Sequence, residues 1–101
     1  PSRHHQDKFF LLAAQWRTET RCCSSTTQIA MHPAYQAIIG MAWPVLSLIL
    51  EELRKDPAPW FWALKAISGE DPVRPADRGA ILRMRDSWLR WGEAKQLIFP
   101  R

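Results

Sequence analysis

Apolar positions along this chain recur at three- and four-residue intervals and show no useful run of strict alternation, so the pattern predicts helices throughout. Phe9, Leu12, Ala13 and Trp16 form one stripe, and Asp7 to about Arg21 reads as an amphipathic helix with Asp7 placed to cap it. Small hydrogen-bonding residues break the pattern at 22–27, where Ser24 or Ser25 suits the cap of a short turn through Ile29 and Met31. Pro33 opens a second helix to Ile39, with Gly40 as its C-terminal cap. Trp43-Pro44 opens a third, to about Lys55, and its aliphatic residues Val45, Leu46, Leu48, Ile49, Leu50 and Leu53 cover most of its circumference. That is the pattern of a helix enclosed by protein. Burial of such side chains is worth about 1.5–3 kcal/mol each before ordering entropy is subtracted, which makes this the central helix.

Pro59 starts the next helix, with Trp60, Ala63, Leu64 and Ile67 on one side, Gly69 as its cap, and Phe61 and Trp62 pointing elsewhere. A short helix with large apolar groups on two sides is either sandwiched or offers an aromatic patch outward. After the proline-ruled connection 70–75, a long helix is predicted from Asp77 onward, with Ile81, Met84, Trp88 and Trp91 as its core stripe and Leu82 and Leu89 beside it. Gly92 weakens that helix without ending it, and residues 97–99 are read as folding back. The expectation is an all-α, compact bundle of about five helices, a single domain over 1–101 with residues 1–6 flexible.

Composition adds an ordinary globular balance with one anomaly, six tryptophans among 101 residues. No apolar run reaches the length of a membrane span, because Ser47 and Glu51 interrupt the longest, and no secretory leader is visible. Adjacent Cys22 and Cys23 would close only a strained ring, which points to a reducing, cytoplasmic compartment. His4, His5, His32 and this pair match no metal-ligand spacing, so no metal and no cofactor are expected. His32 is read as making a structural hydrogen bond. Net charge is +4, and residues 74–101, with seven basic against three acidic side chains, hold the basic character.

From Pro44 to Asp71 the order of a proline-started aliphatic helix, a proline-bearing turn and a helix ending Trp-Ala-Leu-Lys-Ala-Ile-Ser-Gly-Glu-Asp-Pro resembles one HEAT-type repeat. A single copy is no solenoid. Over a longer span, His32-Pro-Ala-Tyr-Gln-Ala-Ile-Ile-Gly-Met, Trp60-Phe-Trp-Ala-Leu-Lys-Ala-Ile-Ser-Gly-Glu-Asp-Pro-Val and Trp88-Leu-Arg-Trp-Gly resemble a family of small uncharacterised bacterial proteins. That resemblance implies a bacterial cytosolic origin and a role in binding a partner, and it brings no activity or site residue with it.

Two sets of side chains are candidates for function. Trp43, Trp60, Phe61 and Trp62 are the aromatic set, suited to binding another protein or a second copy of the chain as a homodimer. Arg78, Arg83, Arg85 and Arg90 are the basic set, suited to an anion or, beside Trp88 and Trp91, to nucleic acid. Arg85 falls on the core side of its helix, where its head either meets Glu51, Glu52, Glu70 or Asp71 or forms a basic notch for a partner. Glu51 and Glu52 diverge by about 100° on a helix and make a poor acid/base pair. No Ser, His and Asp arrangement and no phosphate-cradling glycine loop is present. The expected function is that of a non-enzymatic adaptor or accessory subunit, with antitoxin-like inhibition as one form of it and a nucleic-acid-binding small subunit as the alternative.

Overall fold

The computed structural model describes residues 3–22, 25–56 and 59–100. Helix α1 (Arg3–Glu19) buries Phe9, Ala13 and Trp16 of the predicted stripe, with Leu12 partly buried beside them. It begins earlier than its pattern suggests, so Asp7 lies inside it instead of capping it, and Arg3 to Gln6 are helical where a flexible start is expected. The short α2 (Thr26–Ala30) is capped by the Ser25 hydroxyl, which accepts from the Gln28 N–H at 3.4 Å; Ser24 and Cys23 lie outside the described residues. Helix α3 (Pro33–Gly40) takes its first cap from His32, whose Nδ1 accepts the Ala34 N–H at 3.0 Å while Nε2 meets Glu19 Oε1 at 2.8 Å. Gly40 continues α3 instead of capping it. Ala42, at φ 62°, makes the turn that follows.

Trp43–Val45 forms a separate 3-10 turn before α4 (Leu46–Lys55). Val45, Leu46, Ile49, Leu50 and Leu53 are fully buried, whereas Leu48 is only half-buried beside Ser47 and Glu51. The central helix is therefore enclosed over most of its circumference but keeps one side towards solvent. Helix α5 (Phe61–Ser68) ends at Gly69, whose φ of 73° is the left-handed conformation that favours glycine. Helix α6 (Ile81–Ala94) starts later than predicted: Pro75–Asp77 forms a second 3-10 turn, and Gly79 at φ 87° redirects the chain first.

Helices α1, α3 and α5 close around an aromatic core. The Trp16 and Trp60 ring centroids lie 4.5 Å apart, Trp16 and Tyr35 5.1 Å, Phe9 and Trp60 5.7 Å, and Tyr35 and Trp60 5.8 Å. The Tyr35 hydroxyl donates to the Pro59 carbonyl and accepts from the Ala63 N–H, each at 2.9 Å, which ties α3 to the start of α5. On the other side of the molecule α4 packs on α6. Gly92 is buried there because Leu50 and Ile98 occupy the space that a side chain would need. Ile98 thus folds back as expected, but Phe99 is exposed.

Among the described residues there are no strands, and the architecture is an all-α bundle of five longer helices plus the short α2. Among the described residues no single helix is long and apolar enough to cross a membrane. Pro33–Gly40 and Trp43–Lys55 reach that length only together, and they are bent by 107°.

Candidate functional site

The connection 69–80 returns the chain so that α5 and α6 flank an open groove of about 550 Å³. Phe61, Trp62 and Ala66 come from α5, Met84 and Trp88 from α6, and Val73 from the connection. These positions share a wall for a simple reason. On α5 residues 61, 62 and 66 face away from the side that Trp60, Ala63 and Leu64 bury, and on α6 Met84 and Trp88 stand one turn apart. Trp62 remains 43% exposed, too much for a core residue and enough to offer most of one ring face.

Three charged residues, Lys65, Asp71 and Arg78, join this apolar lining. Asp71 Oδ2 lies 2.7 Å from Arg78 Nη2 and 3.6 Å from Lys65 Nζ, and its Oδ1 accepts the Val73 N–H at 3.2 Å. The Arg78 hydrogen bond holds the Asp71 carboxyl below the usual carboxylate range, against the opposing effect of burial.

The two candidate sets are redistributed by the fold. Phe61 and Trp62 meet Arg78 at the groove, which combines part of each. Trp60 does not belong at a surface: it is fully buried in the core, with Arg17 placed 6.0 Å from its ring centroid. Trp43 is half-exposed at a different place, edge-on to Trp91 at 6.5 Å; Trp91 in turn meets Trp88 edge-on at 5.1 Å. Trp43 therefore stands at the outer end of a row of rings whose inner end, Trp88, lines the groove.

Of the arginines, Arg83 is exposed and lies 3.9 Å from Asp77, and Arg90 is exposed with Ser87 Oγ at 3.5 Å. Arg85 does not reach the expected carboxylates. Those are taken: Glu51 by Arg54, Glu52 by Arg17, Glu70 by Lys95 and the Trp91 indole N–H, and Asp71 by Arg78 and Lys65. Arg85 turns to its neighbour Asp86 at 3.1 Å and borders a smaller cavity of about 320 Å³ with Arg54, Leu89 and Glu93. The four arginines do not form one basic stripe. Ile81 and Leu82, assigned to the core side of α6 and its flank, are exposed.

Lys65, Ala66, Asp71, Val73 and Met84 belong to the groove without being site candidates in the sequence, and Trp88, a candidate for stacking on nucleic acid, lines it from a buried position. The usable signal was the off-face pair Phe61 and Trp62, which required a second wall. Among the described residues no group of three or more His, Cys, Asp or Glu side chains is arranged to hold a metal ion. No family model, no curated protein and no solved structure matches this chain.

Proposed function

We propose that this protein is a non-enzymatic helical interaction module, an adaptor or accessory subunit, which holds a protein partner by taking its apolar side chains into the groove between α5 and α6. The observation that carries this reading is an open, apolar groove with Phe61 and Trp62 on its lip and charged residues at its rim. Exposed aromatic surface beside arginine is the composition that dominates binding energy at protein interfaces. A bacterial, cytoplasmic setting belongs to the same proposal, as do the antitoxin-like form of it and the HEAT-like character of the α4 and α5 pair. A second copy of the chain is one candidate partner.

The test is capture from the native cell by wild-type protein and by Trp62→Ala, washed at high salt, together with sedimentation of the purified chain. A protein retained by the wild type and lost by the variant, or a homodimer that Trp62→Ala dissociates, is the expected result. Identical capture by both, with nucleic acid released as salt is raised, replaces this reading with the nucleic-acid-binding one.

A further inference from the structure

Lys65, Asp71 and Arg78 line the groove, and a second charged cluster, Arg74, Asp77 and Arg83, lies beyond that lining on the connection 69–80 and the first turn of α6. Asp71 is shared by Lys65 and Arg78, and Asp77, on the same connection, is shared by Arg74 at 3.2 Å and Arg83 at 3.9 Å. The two carboxylate side chains are 20% and 6% exposed, whereas the four basic ones are 54% to 77% exposed. Asp77 is thus buried, and Asp71 partly buried, beneath two more exposed cations each, and the pairs leave a surplus of positive charge. Alongside, Ile81 stands one turn before Met84 on the same stripe of α6, and Ile81 and Leu82 are both exposed, so the apolar wall runs on past the groove to the surface.

We infer that the groove's occupant is an acidic protein segment, one that seats large apolar side chains against Phe61, Trp62 and Met84, above the buried Trp88, and sets aspartates or glutamates against Lys65, Arg74, Arg78 and Arg83. Charge complementarity selects the sign, because outward cations with their own acids sunk beneath them attract anions and repel a basic partner. Concavity selects a protein segment over a lipid surface. A recess of about 550 Å³ receives side chains, whereas a bilayer meets what protrudes. This rests on the interaction-module reading above and names the chemistry of its partner.

Random displayed peptides are selected on the wild-type protein and counter-selected on Trp62→Ala. The best peptide is then synthesised, with a second version carrying Asn and Gln for its acids, and titrated by fluorescence anisotropy. Enriched peptides are expected to pair Leu, Phe or Trp with Asp or Glu and to bind the wild type about tenfold or more tightly than Trp62→Ala. The double variant Lys65→Gln, Arg83→Gln leaves each carboxylate its nearer partner, Arg78 or Arg74, so its circular dichroism and urea transition stay those of the wild type. It is expected to weaken the acidic peptide by about three- to tenfold and to remove most of the salt dependence. Groove-dependent peptides with no excess of acid, or neutralised versions that bind as well, overturn the acidic partner and leave the interaction module standing. Tighter binding to phosphatidylglycerol vesicles than to any selected peptide overturns it in favour of a lipid surface, and failure to enrich any groove-dependent peptide overturns it outright.

Discussion

Trp60 and Trp62 stand two residues apart at the start of α5, yet one is sealed among Phe9, Trp16 and Tyr35 and the other overhangs an open groove. The closed cluster has partners on every side, since α1 and α3 supply three of its four rings. At the groove, the far wall is α6, and the connection 69–80 holds it away from α5. The same residue type is therefore sealed in the core in one place and, on the function proposed above, free for recognition in the other. The difference lies in what the second and third helices bring, not in the local sequence.

The sharpest way to break this comparison is to truncate both tryptophans. Trp60→Ala is expected to cost about 3–5 kcal/mol in a urea denaturation curve. Tyr35→Phe comes next, at about 2 kcal/mol, because it strips the Pro59 carbonyl and the Ala63 N–H of their shared partner. Gly92→Ala follows. Its new methyl would stand 2.6 Å from Leu50 Cδ1 and 3.2 Å from Ile98 Cγ1, and the strain outweighs the gain in helix propensity by about 1 kcal/mol.

The pH dependence is smaller. The folded-state pKa of Asp71 is lowered, so its stabilising contribution is present above the ordinary carboxylate value and is lost as pH falls through the depressed one. Asp71→Asn should flatten that acid limb in melting temperatures recorded against pH. Last is Trp62→Ala, expected to change stability by no more than about 0.5 kcal/mol. A loss close to that of Trp60→Ala would show that the groove is part of the core, and the division into two aromatic regions would be wrong.

Helix content was legible because each helix carries its own stripe. The stripes of α1 and α4 name most of the residues that those two helices bury, and Gly69 does what a glycine after a helix is expected to do. Boundaries failed where one residue's conformation decided them: Ala42 separates α3 from Trp43–Val45 and Gly79 delays α6, both at positive φ. Ile81 and Leu82 failed differently. Periodicity says which residues share a face but not whether a neighbour covers that face along its whole length, and here the first turn of α6 is exposed. Of the two readings of Arg85, the carboxylate across the fold fails, because competition for those carboxylates is a property of the whole set of pairs and cannot be read from one helix. The groove was half visible, in the two aromatics that α5 could not hide. Its far wall depended on the path of residues 69–80.

His32 carries one more consequence. A ring that accepts the Ala34 N–H at Nδ1 must, when neutral, bear its hydrogen on Nε2, directed at Glu19. The two tautomers have distinct nitrogen-15 chemical shifts, and a solvated imidazole averages over both. A magnetic-resonance spectrum of this one ring therefore registers whether the end of α1 is seated on the start of α3, with no label attached anywhere else.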